Sequence, residues 1–154
     1  MLSIHSIVFF FLISLSLTLG AGETRVVHVP GIGNSFTVNS MKFLPDIVAS
    51  DPEIKGEIAG AILGGCPLDK HVRLANEHVA DSSKGNDHTY KLNGQNLKTD
   101  ISLKEILQDQ EWDVVAIQQV STKSYKLGTY TPYAGEMIKY IRKIKTIFPD
   151  WKTV

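Results

Sequence analysis

The feature that most constrains the fold is an alternation of short apolar segments with segments of helical periodicity. The predicted strands, rich in β-branched and apolar residues, are residues 25–29, 57–63 and 113–117. The main segments with apolar residues at helical spacing are residues 36–50, 67–76 and 131–148. Strands that alternate with helices predict an α/β domain, with an open parallel sheet and helices on both of its faces.

Local signals refine this prediction. Pro45 should kink or divide the first helix, because it lacks a backbone donor. The pair Asn93–Gly94 predicts a surface β-hairpin, and Ser102 with Glu105 predicts a capping box at the start of a short helix. The segment 151–154 resembles the opening of a further strand.

Composition excludes some classes of partner. The 154 residues include 16 basic and 16 acidic side chains, so the net charge is close to zero. Such a balance gives neither the electrostatic footprint of a nucleic-acid-binding protein nor a polybasic membrane patch. Cys66 is the only cysteine, so the chain cannot form an intrachain disulfide. Residues 23–154 have the length of one ordinary domain.

The first 22 residues differ from the rest of the chain. Residues 1–20 carry no Lys, Arg, Asp or Glu, and the apolar run from Ile7 is too short to span a bilayer comfortably. Small residues near Gly20 and Gly22 suit a signal peptidase. We therefore expect residues 1–22 to be a signal peptide, with a periplasmic or secreted product that has no stable membrane span. An uncleaved anchor and a buried helix are the alternatives.

The three predicted strands end in unusual loops, at residues 31–35, 64–66 and 118–121. In open α/β sheets, ligands bind beyond the carboxyl ends of the strands. The sequence therefore predicts a functional site formed by these three loops.

Ser35 is the most reactive residue type in the first loop. A hydroxyl at a strand-to-helix turn projects above the sheet, and its own amide points to where an acyl oxyanion forms. The alternative is that Ser35 is only the N-cap of the helix. A flavodoxin-like phosphate-binding loop fits less well, because Phe36 stands where the third glycine of a dinucleotide motif belongs and would oppose close packing of helix and strand.

Three blocks carry a family resemblance, at residues 32–37, 63–71 and 111–121. Together they resemble the DUF4886 group of the SGNH/GDSL hydrolases, over residues 26–154. The resemblance implies a flavodoxin-like three-layer α/β/α fold and an esterase, lipase or carbohydrate deacetylase that uses no metal or cofactor.

The resemblance also implies roles for single residues. Ser35 is the expected nucleophile, and the oxyanion hole is expected from the amides of Ser35 and Gly65 with the side chain of Gln118 or Gln119. Successive strand residues point to opposite faces, so the sequence does not choose between the two glutamines. Asn34 stands where many relatives carry Asp. The expected pocket residues are Asn34, His71 and Ser121, and His71 fits an ordinary surface position on a helix equally well.

The general base of the family lies in an Asp-x-x-His motif beyond the fourth strand, and this sequence does not contain that motif. His28 is expected in the first strand, and His78 and His88 are expected in solvent. We therefore predict a domain that is incomplete at its C-terminus. Two functions remain open: a serine esterase acting on an extracellular glycan or other ester, and a glycan- or ester-binding module without turnover.

Overall fold

The computed structural model of the chain describes residues 24–145. The strands in that range are β1 (Arg25–Gly33), β2 (Ile54–Ile62), β3 (His88–Leu92), β4 (Gln95–Ile101) and β5 (Ala116–Ile117). The helices in the same range are α1 (Ser35–Met41), α2 (Leu44–Ala49), α3 (Leu68–Ala80), α4 (Leu103–Gln108), α5 (Ser121–Ser124) and α6 (Leu127–Lys145). The predicted signal peptide, the predicted strand at 151–154 and the expected helix end near Pro149 lie outside the described residues.

The five strands form one sheet in the order β4-β3-β2-β1-β5. Strand β1 lies between β2 and β5 and is parallel to both, with Gly33 opposite Ile62 and Ile32 opposite Ile117. Strands β3 and β4 are antiparallel to their neighbours. The α/β class and the parallel arrangement of the three predicted strands are confirmed, but the sheet as a whole is mixed.

The β3–β4 hairpin turns at Asn93 and Gly94, as predicted. Their φ angles of 47° and 82° belong to a type I′ turn, which Gly adopts readily and Asn tolerates. The amide of Ile58 donates to Oδ1 of Asn93 at 2.9 Å, which ties the turn to β2. The hairpin therefore extends the main sheet, and only its outer strand β4 has the expected surface position.

Strand β1 is longer than predicted, because it continues well past Pro30. The carbonyl oxygens of His28 and Ile32 accept from the amides of Asp113 and Gln118, on the β5 side, at 2.9 and 3.0 Å. The backbone groups of every second residue in a strand point to the same neighbour, so those of Pro30, midway between His28 and Ile32, also face β5. Its missing amide hydrogen therefore removes no bond to β2.

Helices α1 and α2 cover one face of the sheet. Pro45 divides them, as predicted, and lies in the first turn of α2. Both helices approach the strands closely at glycines. A Cβ on Gly31 would lie 3.0 Å from Cε of Met41, and one on Gly56 would lie 3.1 Å from Cγ1 of Val48. Bare backbone at these positions lets the helices lie directly on β1 and β2.

Helices α3, α4 and α6 cover the opposite face and enclose the main core. Its buried residues are Ile32, Ala59, Ala61, Leu68, Val72, Ala75, Tyr90, Ile101, Leu103, Ile106, Leu107, Trp112, Met137 and Ile144. The predicted capping box is confirmed at α4, where Ser102 and Glu105 cap each other's backbone amides. Burial of this apolar surface is the main source of the fold's stability.

Two predicted elements differ from the structure. Strand β5 spans only Ala116–Ile117, and Val114 is 52% exposed, so the prediction of a buried strand over 113–117 is wrong. Helix α6 begins at Leu127 rather than near residue 131, and Pro132 lies inside it. Among residues 24–145, no helix is both long and apolar enough to cross a bilayer.

Candidate active site

The structure brings together the loops that follow β1, β2 and β5. The amide of Leu63, directly after β2, donates to the carbonyl of Gly33 at 3.0 Å. On the other side, the amide of Gln118, directly after β5, donates to the carbonyl of Ile32 at 3.0 Å. The three loops singled out in the sequence therefore meet at one edge of the sheet.

Asn34 organises the centre of this edge. Its side chain is fully buried, and its Oδ1 accepts from the amide of Phe36 at 3.0 Å, which makes Asn34 the N-cap of α1. Its Nδ2 donates to the carbonyl of Cys66 at 3.2 Å. The alternative interpretation of Ser35 as the N-cap is therefore wrong, because Asn34 has that role.

Ser35 is the first residue of α1 and is exposed. Within residues 24–145, its hydroxyl forms no hydrogen bond with another protein group. The backbone amides at the start of a helix also lack intrahelical acceptors. Because Asn34 accepts from the amide of Phe36, the position presents the hydroxyl of Ser35 beside the amide of Ser35 itself.

Gln118 is held by a hydrogen bond from Thr37 that passes over a glycine. The hydroxyl of Thr37, a buried residue, donates to Oε1 of Gln118 at 2.6 Å. The bond passes over Gly33, where a Cβ would lie 2.8 Å from the same Oε1. In the part of the chain that the structure describes, Nε2 of Gln118 donates to no other protein group.

Gln119 has a different environment. Its Oε1 accepts from the amides of Leu68 and Val120, both at 2.9 Å, and its Nε2 donates to the carbonyl of Thr129 at 2.8 Å. All of these partners are backbone groups. Gln119 therefore joins the loop after β5 to the start of α3, and its Oε1 and one of its two Nε2 hydrogens are bonded to the backbone.

The loop after β2 contributes Gly65 and Cys66. Gly65 is exposed and has a φ of 60°, a conformation that glycine adopts without strain. Cys66 is buried, and burial raises the pKa of its thiol to about 11. At neutral pH the residue is therefore a thiol, and not the thiolate that nucleophilic chemistry needs.

A protein-family model, the "Domain of unknown function (DUF4886)", matches residues 28–152. The chain belongs to the DUF4886 family. A DUF4886 family protein from Bacteroides uniformis ATCC 8492, solved by crystallography, is similar in structure with a TM-score of 0.63 and 24% identity. The match covers 77% of this chain and 45% of the crystallised one, so this chain spans less than half of that protein. No curated protein matches the sequence.

The DUF4886 chain buries two histidines together. His71 and His88 are both fully buried, with Nδ1 of His71 2.9 Å from Nε2 of His88. The expected positions of His71 at a pocket rim or on the surface, and of His88 in solvent, are wrong. Burial lowers the pKa of His71 to about 3 and that of His88 to about 4, so both rings are neutral at neutral pH.

The remaining described histidines of the DUF4886 chain also have other partners. His28 lies in β1 as predicted, with Nε2 3.3 Å from a carboxylate oxygen of Glu57. His78 is partly exposed, and its Nδ1 lies 3.1 Å from the carbonyl of Lys84. Among residues 24–145, no histidine forms a hydrogen bond with Ser35.

Two further sequence interpretations concern the rim of the site. Phe36 is 50% exposed, so it does not separate α1 from β1, and the packing argument against a phosphate-binding loop was wrong. Ser121 is the exposed first residue of α5, four residues beyond β5. Within residues 24–145, no group of three or more His, Cys, Asp or Glu residues is placed to hold a metal ion.

Thr37 and Gly33 also belong to this candidate site, although the sequence alone did not indicate them. Only the fold shows that the bare backbone of Gly33 lies beneath a bond between two other residues. A signal was present, because Thr37 lies on the first turn of the helix that Ser35 begins. A polar residue there that is buried needs a partner, and Gln118 is that partner.

Proposed function

We propose that this chain carries the nucleophile and oxyanion hole of a serine ester hydrolase of SGNH type, with a flavodoxin-like arrangement of its layers. Oγ of Ser35 attacks the ester carbon, the bond from that carbon to the alcohol oxygen breaks, and the alcohol leaves with the proton. Water then cleaves the acyl-enzyme and restores the hydroxyl of Ser35. The substrate is an ester of a glycan or of another extracellular compound.

One observation carries the proposal: Asn34, and not Ser35, caps α1. The common structural explanation for a serine at a helix start therefore does not apply to Ser35. Its hydroxyl is exposed at the edge of the sheet where α/β folds bind ligands. Asn34 is itself fully buried, so its side chain anchors the turn that presents Ser35 to the protein interior.

The surrounding donors suit a tetrahedral oxyanion. We assign the oxyanion hole to the backbone amides of Ser35 and Gly65 and to Nε2 of Gln118. Thr37 supports this role by occupying Oε1 of Gln118 at 2.6 Å, which leaves the amide nitrogen for a ligand. Donors fixed before the reaction stabilise developing negative charge most effectively.

A serine hydroxyl also needs a general base. Each histidine within residues 24–145 is buried or has another partner, so the proposal assigns the base to none of them. We propose in addition that residues 1–22 direct export. N-terminal sequencing of the mature protein tests this, and a retained Met1 would contradict it.

The test of the hydrolase function is labelling by a fluorophosphonate probe, with the modified residue located by mass spectrometry. We expect the probe on Ser35, no labelling of Ser35→Ala, and unchanged labelling of Ser40→Ala. Ser40 is a matched control because it is an exposed serine of the same helix, with its hydroxyl bonded to the carbonyl of Thr37. Absence of labelling at Ser35 in protein that circular dichroism shows to be folded would contradict the proposal.

A second function is favoured by the partners of the described histidines. A site with a free serine and an oxyanion hole but no base can hold an ester without cleaving it. We expect such a binding module to retain acetylated-glycan affinity in Ser35→Ala and to show no turnover. Measurable hydrolysis that depends on Ser35 would exclude this alternative.

A further inference from the structure

A cavity separate from the Ser35 loops lies on the face of the sheet that α1 and α2 cover. Its volume is about 370 Å³, which is within the usual range for small-molecule sites. Its floor is strand β2, where Ile58, Gly60 and Ile62 point to the same face. The opposite walls are α1 and the β3–β4 turn, and we call this cavity the α1 slot.

The bare backbone of Gly60 leaves room in the middle of the floor of the α1 slot. A Cβ there would lie 3.0 Å from Cδ1 and Cγ1 of Ile62 and 3.8 Å from Cβ of Lys91. Val38 and Met41 of α1 line the opposite wall. From Ile62 to Ile58 the floor is about 13 Å long, the length of an extended acyl chain of roughly ten carbons. The walls therefore suit a hydrocarbon chain.

The charges at the α1 slot have one sign. Lys42 and Lys91 line it, and no acidic side chain does. Within residues 24–145, neither ammonium group forms an ion pair with a carboxylate, and Nζ of Lys42 lies 5.2 Å from the ring centre of Phe43. An apolar cavity lined by two cations without carboxylate partners among residues 24–145 is complementary to a ligand that combines a hydrocarbon chain with an anionic group.

We propose that the α1 slot binds the chain of an aliphatic carboxylic acid of medium length, with its carboxylate held by Lys42 and Lys91. The site is distinct from the proposed hydrolytic one, because Asn34, Ser35 and Gln118 do not line it. Thr37 is the residue common to both, since it lines the slot and bonds to Gln118. Binding therefore does not depend on a reaction at Ser35.

Calorimetric titration of the full chain with decanoate tests the proposal, with decyltrimethylammonium as a ligand of matched chain and opposite charge. We expect decanoate to bind at least about tenfold more tightly than the cation. Lys42→Gln with Lys91→Gln should weaken decanoate by about tenfold or more. The control pair Lys104→Gln with Lys139→Gln, exposed on the opposite side of the sheet, should bind like the parent protein.

Two variants fill the cavity from opposite walls. Gly60→Val narrows the floor and Val38→Trp narrows the α1 side, and each should abolish decanoate binding while circular dichroism shows a folded protein. Ser35→Ala should leave binding unchanged, which separates this site from the proposed esterase. Equal affinity for the two ligands, binding retained in both cavity variants, or no binding to the full chain would overturn the proposal.

Discussion

Asn34 and Cys66 connect two strand ends through one buried side chain. Nδ2 of Asn34 donates to the carbonyl of Cys66 at 3.2 Å, while its Oδ1 caps α1 through the amide of Phe36. A single amide side chain therefore sets the start of the helix and the path of the loop after β2. Ser35 and Gly65, the neighbours of this pair in sequence, are placed relative to each other by it.

Asn34→Ala should lower the free energy of unfolding by about 2–3 kcal/mol, because it removes a helix cap and leaves a buried carbonyl without its donor. Denaturation in urea measures the change. Asn39→Ala, at an exposed position of the same helix, is the control and should change stability by less than about 0.5 kcal/mol. A loss at Asn34 no larger than this control value would contradict the assigned role.

Gly33→Ala should destabilise the protein by about 1–3 kcal/mol, because the new methyl group meets the Thr37–Gln118 hydrogen bond. The penalty should shrink when Thr37→Ala is also present, since the crowded side chain is then gone. A double-mutant cycle in urea measures this coupling.

The control for Gly33 is Gly135, which lies in α6 with no described atom within 4 Å of a Cβ. Gly135→Ala should stabilise the protein by about 0.5–1 kcal/mol, as expected for glycine in a helix. Strict additivity of Gly33→Ala and Thr37→Ala would show that the two residues do not interact.

The two glutamines should respond differently to substitution. Gln119→Ala should cost about 2–3 kcal/mol of stability, because three backbone groups lose their partner. Gln118→Ala should cost only about 1 kcal/mol, through the hydroxyl of Thr37. If the hydrolase proposal is correct, Gln118→Ala should also slow fluorophosphonate labelling of Ser35 by about 10²-fold.

The rate of labelling and the urea midpoint, measured on the same samples, separate these effects. A labelling rate in Gln118→Ala equal to that of the parent protein would remove Gln118 from the oxyanion hole. It would leave the structural role of Gln119 untouched.

The buried pair of His71 and His88 should make stability depend on pH. Both folded pKa values, about 3 and about 4, lie below the ordinary value of 6.5, so the unfolded chain binds protons first as the pH falls. The contribution of the two neutral histidines to the free energy of unfolding is fully present above pH 6.5. It decreases towards pH 4, by at most about 1.4 kcal/mol per pH unit for each histidine.

Urea midpoints measured between about pH 7.5 and pH 4.5 test this dependence, because that interval spans the ordinary histidine pKa. The double variant His71→Gln with His88→Gln should flatten the profile in that interval. His78→Gln, at a partly exposed position, should leave it as steep as in the parent protein. A parent profile without slope would mean that the pair is protonated in the folded state.

Much of the architecture followed from the sequence by itself. The periodicities located the three parallel strands and most helices, Pro45 divided a helix, and Asn93–Gly94 and Ser102 with Glu105 marked a turn and a cap. These features depend on neighbours close in the chain, where local sterics and hydrogen bonding decide. The convergence of the three loops followed as well, because parallel strands end at one edge of a sheet.

Only the tertiary structure decided which polar groups are free. The local sequence suggested only Ser35 as the cap of α1, whereas in the structure Asn34 caps the helix and also bonds to the carbonyl of Cys66, which is distant in the chain. Gln118 and Gln119 are adjacent, yet Thr37 and Thr129 give them different roles. The burial of His71 likewise depends on His88, which arrives with the hairpin. Periodicity cannot identify such partners, because hydrogen bonding of buried groups is settled by long-range contacts.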